Sequence, residues 1–169
     1  MKAINSKNEG KPSLKDVIKS KINIKAGEMT FGQRIEVGKI IETESDGIVQ
    51  AISIMQCLHN FRPNYKQLLK LQPYLVEISD GFKFWIDTEA TLLKYDPTIE
   101  EKQAGIKELA EKTGELGTVK AMAKAFSKDP DEILLWKYGK VFGILLSDLE
   151  ECKFNRRYDK VIEAKYKHS

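Results

Sequence analysis

Cys57 and His59 stand two residues apart and carry side chains that often act as nucleophile, base or metal ligand. Both fall in a segment with helical periodicity, where residues i and i+2 point in different directions. Cys152 and the second histidine are about a hundred residues further along the chain. We therefore predict neither a catalytic pair nor a metal site, and we interpret His59 as part of an apolar helix face.

Glu77 and Asp80 are three residues apart and share one side of a predicted helix, as a pair of acid–base carboxylates would. A solvated helix face explains them more simply. The chain contains no phosphate-binding loop, dinucleotide fingerprint or nucleophile elbow, and "GELG" at 114–117 is too short for any of them. We predict a protein without enzymatic activity and without a cofactor.

Charge is distributed unevenly along the 169 residues, whose 41% hydrophobic and 31% charged composition is typical of a globular domain. Segments 1–28 and 153–169 each carry a net charge of +4, and segment 29–152 carries −5. This pattern does not indicate the basic folded face of a nucleic-acid-binding domain. We predict a basic N-terminal arm with one short helix over 1–28 and a single helical domain over 29–169.

The sequence also bears on location. The first residues, "MKAINSKNEGKPSLKD", contain no apolar core of the kind found in secretory signals. Lys137 and Lys140 interrupt the longest apolar stretch, so no membrane-spanning helix is expected. With two unpaired cysteines, the chain is expected in a reducing cytosol.

Helix signals recur along the chain. Thr30 and Gln33 form a predicted capping box, Asp46 is a predicted helix start, and a period near 3.6 begins at Pro73. Alternation of Ile22 and Ile24 with polar residues is a weak strand signal. We predict a mainly α fold of six to eight helices, a compact multi-helix domain with at most a small N-terminal strand pair.

The segment "DPDEILLWKYGKVFGILLSDLE", residues 129–150, is predicted as one helix with apolar residues on nearly every face. A single-domain core is not expected to cover all of them, so we predict a surface for a partner or a second copy. The predicted partner-binding residues are Trp136, Tyr138, Phe142, Leu145, Leu146 and Leu149. Gly139, Gly143 and Ser147 are four residues apart and are predicted to allow close packing of another helix.

A helix-turn-helix is the alternative for "TVKAMAKAFSKDPDEILLW", with Ala123 in the first helix and Ile133 buried in the second. Asp129, Asp131 and Glu132 would then stand at the start of the reading helix, where phosphates would repel them. DNA binding is therefore the weaker interpretation.

Two stretches carry a family resemblance: "MTFGQRIEVGKII" at 29–41 and "TVKAMAKAFSKDPDEILLWKYGKVFGILLSDLE" at 118–150, together 46 of the 169 residues. The sequence resembles the tail assembly chaperones of long-tailed phages. In that family an early segment of the first kind opens the helical domain. An alanine-rich helix, an acidic-Pro turn and an aromatic-rich helix close it.

The resemblance implies a non-enzymatic chaperone. Such a protein binds and solubilises the apolar, helical tape-measure protein in the cytoplasm of a bacterial host cell before the tail tube polymerises, as several copies and without ATP. Its implied partners are the tape-measure protein, the tail-tube protein and further copies of itself. A DNA-binding phage regulator and a structural or adaptor protein of the virion are the two alternatives. Salt-dependent binding to duplex DNA would indicate the first, and presence in purified particles would indicate the second.

Overall fold

The computed structural model describes residues 12–167, which form eight α-helices. In chain order they are α1 (Leu14–Lys19), α2 (Phe31–Thr43), α3 (Gly47–His59), α4 (Tyr65–Leu92), α5 (Ile99–Gln103), α6 (Ile106–Phe126), α7 (Pro130–Leu134) and α8 (Tyr138–Lys167). The prediction of a mainly α fold is confirmed.

Side-chain caps fix several helix starts. The Thr30 hydroxyl accepts a hydrogen bond from the Gln33 N–H at 3.1 Å, and Gln33 Oε1 accepts from the Thr30 N–H at 2.9 Å. Asp46 accepts from the N–H groups of Ile48 and Val49. These bonds satisfy donors that a helix start leaves unpaired. The predicted helix starts at Thr30 and Asp46 are confirmed.

Ile22 and Ile24 form no strand pair with any other part of residues 12–167. Their segment is a turn, and the only β-type contact in the described chain is an isolated bridge between Thr30 and Lys137. Gly27, with φ of 70°, reverses the chain so that Met29 runs beside the start of α8. The polar–apolar alternation of this segment therefore reflects a buried Ile24 and a half-buried Ile22, both packed on the core, rather than a sheet.

The helix predicted from Pro73 begins earlier, at Tyr65, and contains Pro73 in its interior. Asn64 and Gln67 form a capping box that starts it. Proline removes the N–H that would bond to the Leu69 carbonyl. Both residues lie on the exposed side of α4, where water can satisfy that carbonyl. The cost of the interior proline is reduced accordingly.

The single helix predicted over 129–150 is wrong, because the chain breaks between α7 and α8. The Trp136 carbonyl accepts from the Phe31 N–H at 2.8 Å, and the Tyr138 N–H donates to the Met29 carbonyl at 2.7 Å. The Gly139 N–H donates to the Gly27 carbonyl at 3.1 Å. Backbone groups that a continuous helix would pair internally are thus paired with segment 27–31.

Helix α6 extends from Ile106 to Phe126 and is bent near its middle. Gly114 has a non-helical backbone (φ 48°, ψ −144°), so α6 consists of a first arm, 106–113, and a second arm, 115–126. The second arm packs inward through Val119, Met122 and Ala123. The stretch "GELG" at 114–117 therefore begins with a kink inside α6.

The core includes part of the basic N-terminal segment. Val17 and Ile24 are buried, at 1% and 3% exposure. Trp85 Nε1 donates to the Ile24 carbonyl at 2.7 Å, and the Ile22 N–H donates to the Tyr74 hydroxyl at 2.8 Å. Residues 12–28 thus pack on the helical domain instead of projecting from it as an arm. Residues 1–11 of the predicted arm lie outside the described residues.

Candidate partner-binding surfaces

Two of the predicted partner-binding residues, Tyr138 and Phe142, lie inside the domain. They are 3% and 9% exposed, and both rings pack edge-on against Trp85 at centroid distances of 5.0 and 5.1 Å. Trp85 comes from α4, so the first turns of α8 are covered by their own chain. These two residues do not form an exposed binding surface, contrary to the prediction.

The other four predicted residues are half-buried. Trp136, Leu145 and Leu146 pack against the core, and Leu149 lies one turn beyond them. Of these four, Leu145 lines an open groove. A role for Trp136, Leu145, Leu146 and Leu149 in partner binding stays a prediction.

The small residues of α8 have different surroundings. Gly139 lies against the backbone of Ala26 and Gly27, where a Cβ would be 3.5 Å from the Ala26 carbonyl oxygen. A Cβ on Gly143 would meet no atom within 4 Å, and Ser147 is exposed. The close approach predicted at Gly139 is therefore made by a turn of the same chain, whereas Gly143 and Ser147 are open.

An uncharged apolar surface runs over α3 and α4. Two shallow depressions, of about 330 and 310 Å³, adjoin there and share Gly47, Ala51 and Leu75. We name it the α3–α4 surface; its main residues are Ile41, Gly47, Ile48, Gln50, Ala51, Tyr65, Leu69, Gln72 and Leu75. Ile48, Tyr65 and Leu69 are 52%, 63% and 56% exposed. No residue lining either depression is charged.

The composition of α3 carries a signal for this surface that its apolar periodicity does not. The thirteen residues of α3, "GIVQAISIMQCLH", include no Asp, Glu, Lys or Arg. A helix that covers a core with one side ordinarily has charged residues on its other side. A charge-free helix therefore indicates contact on more than one side, and here one of those sides is open.

A second open region is the α6 groove, with a volume of about 920 Å³. It lies between the two arms of α6 and α8. Its larger apolar residues are Ile106, Leu109, Met122, Phe126 and Leu145, and between them lie alanine, glycine and threonine side chains. Its two charged lining residues, Glu115 and Asp148, are both acidic.

A polar cluster joins α2, α4 and α8. Glu89 Oε2 accepts from Arg34 Nη2 at 2.6 Å, and Glu89 Oε1 accepts from the Tyr138 hydroxyl at 2.6 Å. Burial opposes the charge of Arg34, but its hydrogen bonds to Glu89 raise its pKa. Burial and the same carboxylate raise the pKa of Tyr138. Arg34 and Tyr138 therefore keep their protons near neutral pH, and the three side chains link α2, α4 and α8.

Cys57 and His59 are also held in structural positions. Both are half-buried, as the helix-face interpretation of His59 predicted. His59 Nε2 lies 2.8 Å from the Tyr74 hydroxyl, and burial lowers the pKa of His59. Burial, with the negative charge of Glu36, raises the pKa of Cys57 to about 11. The Cys57 thiol is therefore protonated near neutral pH, the opposite of an activated nucleophile.

In a Cys152→Ser variant at pH 8, Cys57 is expected to react with iodoacetamide roughly tenfold more slowly in the folded protein than in urea. A pKa near 11 instead of 9 lowers the thiolate fraction about 100-fold. The greater nucleophilicity of the more basic thiolate offsets about tenfold of this. Mass spectrometry of alkylation against time measures the ratio. Equal rates in the folded and unfolded protein would contradict a raised pKa.

Two further features concern metals and membranes. Within residues 12–167, no three His, Cys, Asp or Glu side chains are grouped closely enough to hold a metal ion. In the same part of the chain, no helix combines the length and the apolar character that crossing a membrane requires.

The helix-turn-helix alternative meets a geometric difficulty. Ala123 and Ile133 are buried, as that motif requires. The supposed reading helix, however, is α7, which has five residues and includes Asp131 and Glu132. A recognition helix has to extend along the major groove and approach phosphates. A five-residue helix is too short to extend along the groove, and its two acidic residues would be repelled by phosphates.

Comparisons with known proteins found no match. The chain matches no protein-family model, no curated protein and no solved structure.

Proposed function

We propose that the protein is a non-enzymatic assembly chaperone that binds an apolar helical segment of another protein on the α3–α4 surface. The observation that carries the proposal is the uncharged, half-exposed character of this surface. We infer from the resemblance of segments 29–41 and 118–150 to phage tail assembly chaperones that the client is the tape-measure protein. Release to the tail-tube protein during polymerisation in the bacterial cytoplasm follows from the same resemblance.

The chemistry of the surface suits an apolar helix. Ile48, Tyr65 and Leu69 project from two neighbouring helices, and Gly47 and Ala51 leave space between them. Covering the exposed part of each large side chain contributes about 1 kcal/mol, because a fully buried one contributes roughly 1.5–3 kcal/mol. Gln50 and Gln72 offer hydrogen bonds without a fixed charge. Contacts of this kind accept many apolar sequences, as a chaperone for a long client requires.

The side chains that could have taken part in catalysis support a binding role, because each is held in a structural contact or kept protonated. Cys57 is a protonated thiol, His59 is bonded to Tyr74, and the Arg34–Glu89–Tyr138 cluster is a structural cross-link. The five-residue α7 argues against the DNA-binding alternative.

No feature of the surface favours a virion adaptor over a chaperone. Analysis of purified particles separates these two functions, because a chaperone leaves before the particle is complete.

The double variant Ile48→Asp/Leu69→Asp is expected to bind a tape-measure segment at least about 30-fold more weakly, the effect of losing a strong interface contact. Both residues are more than half exposed, so the helix content is expected to be unchanged. Co-expression measures client solubility, and titration of a purified client helix measures affinity.

Gln56→Asp is the matched control. Gln56 is an exposed residue of α3 outside the α3–α4 surface, so this variant places one aspartate on the same helix as Ile48→Asp. Its client affinity is expected to equal that of the unmodified protein. If Ile48→Asp/Leu69→Asp and Gln56→Asp bind the client equally well, the client does not use this surface.

A further inference from the structure

The C-terminal half of α8 has an exposed aromatic stripe, formed by Phe154, Tyr158 and Val161. These residues are 56%, 55% and 54% exposed, and the two aromatic rings stack on each other at a centroid distance of 6.2 Å. At about 100° per residue, Phe154 and Tyr158 lie on the opposite side of α8 from Arg156. Arg156 donates to Glu101 at 2.9 Å and to the Tyr95 hydroxyl. The helix is therefore fixed to its own domain by one side and presents the aromatic stripe on the other.

The part of α8 that carries the aromatic stripe and the α6 groove have opposite charge. Arg156 faces away from the stripe and pairs with Glu101, and the other four basic and two acidic residues of 153–166 give this part of α8 a net charge of +2. The charged residues lining the α6 groove, Glu115 and Asp148, are both acidic. Complementary charge of this kind orients two surfaces and favours their encounter. The α3–α4 surface has no charged lining residue and offers no such attraction to a basic helix.

The dimensions also correspond. Phe154 and Val161 are seven residues apart, as are Ile106 and Thr113 at the two ends of the first arm of α6. Seven residues of helix extend about 10 Å. Both the stripe and the groove wall therefore have this length. The alanine, glycine and threonine side chains in the groove leave space for two aromatic rings.

The aromatic stripe cannot reach the α6 groove of its own chain. α8 is continuous from Tyr138 to Lys167, and Phe154 is six residues, or about 9 Å, beyond Asp148 along the helix axis. Leu145, which lines the groove, lies on the side of α8 opposite Phe154. A stripe that occupies this groove has to come from another molecule.

We propose that two copies of the protein associate reciprocally, each placing its aromatic stripe in the α6 groove of the other. This two-fold arrangement makes the same contact twice and closes the assembly. It goes beyond client binding and uses none of the residues of the α3–α4 surface. Because opposite charges contribute, the dimer weakens as salt concentration increases.

Sedimentation equilibrium of the full chain is the test. The unmodified protein is expected to be a dimer, and both Phe154→Asp/Tyr158→Asp and Leu109→Asp are expected to raise its Kd by about 30-fold or more. All three substituted residues are more than half exposed, so circular dichroism is expected to be unchanged. Val76→Asp, which charges an equally exposed residue of α4 outside both surfaces, is the control and remains dimeric.

Mixing the Leu109→Asp variant with the Phe154→Asp/Tyr158→Asp variant tests the pairing of stripe with groove. The Leu109→Asp chain supplies an intact stripe and the Phe154→Asp/Tyr158→Asp chain supplies an intact groove, so a mixture regains dimers with one intact contact. If a variant loses helix content, the exposed charge reversal Asp148→Lys replaces it and is expected to weaken the dimer at low salt.

Three outcomes would overturn the proposal: an unmodified protein that stays monomeric, a dimer unaffected by the stripe and groove variants, or a mixture that does not associate. Client binding is measured on the same variants. The stripe variant retains it if the proposed function holds, and Ile48→Asp/Leu69→Asp retains the dimer. Failure of one proposal is thereby distinguished from failure of the other.

Discussion

Replacing Glu89 with leucine is expected to lower the free energy of unfolding by about 3 kcal/mol. The Glu89 carboxylate accepts hydrogen bonds from Arg34 and from the Tyr138 hydroxyl, and the Arg34 and Glu89 side chains are only 14% and 22% exposed. Without Glu89 the guanidinium keeps a single distant carboxylate, on Glu115 at 3.9 Å. Removing one partner of a buried ion pair costs about 3–5 kcal/mol, and partial exposure places this pair at the lower end.

Urea denaturation of two further variants tests the explanation. In Arg34→Met/Glu89→Leu no uncompensated charge remains, so this double variant is expected to be more stable than Glu89→Leu alone. Glu77→Ala is the matched control, because it removes a carboxylate that pairs with Lys21 at the surface and is 59% exposed. A surface pair of this kind contributes at most about 1 kcal/mol. If Glu89→Leu costs no more than Glu77→Ala, the cluster is not a cross-link.

The parts of the fold that were predicted correctly depend on neighbours in the sequence. The Thr30–Gln33 capping box and the Asp46 cap use side chains within three residues of the N–H groups that they satisfy. The helical period of α4 likewise follows from local spacing. The first turns of α4 were missed because Pro73 was interpreted as a start, whereas the Asn64–Gln67 capping box provides the actual one.

The break between α7 and α8 could not be predicted from local spacing. Leu134, Tyr138 and Val141 keep a helical period through the break, so the apolar pattern is the same for one helix as for two. The break is stabilised by two hydrogen bonds to a segment more than a hundred residues earlier: the Trp136 carbonyl accepts from the Phe31 N–H, and the Tyr138 N–H donates to the Met29 carbonyl. Such long-range backbone pairing has no signature in the residues around the break.

The candidate surfaces illustrate the same limit. The apolar spacing on α8 indicates that several of its faces are covered, but it does not indicate which element covers them. In the structure, Trp85 of α4 covers Tyr138 and Phe142. The α3–α4 surface carries a compositional signal, the absence of charge in α3, that could have been used. The α6 groove depends on the backbone angles of Gly114 and therefore had no comparable signal.

Gly27 and Gly139 touch each other, yet opposite effects are expected when each is replaced by alanine. Gly27 has φ of 70°, and a Cβ there would lie 2.7 Å from the backbone N and Cα of Gly139 and 3.0 Å from the Trp85 ring. The left-handed conformation costs a residue with a Cβ about 1–2 kcal/mol, and overpacking costs about 1–3 kcal/mol more. Gly27→Ala is therefore expected to lower the free energy of unfolding by about 3 kcal/mol.

Gly139→Ala makes the same chemical change from the other side of the contact. Its Cβ would lie 3.5 Å from the Ala26 carbonyl oxygen, an ordinary van der Waals distance, and alanine is favoured over glycine in a helix by up to about 1 kcal/mol. Its stability in urea is therefore expected to be unchanged or slightly raised. If the two substitutions destabilise the protein equally, the turn at Gly27 does not hold the start of α8. The pairing of the α8 start with segment 27–31 would then not explain the break after α7.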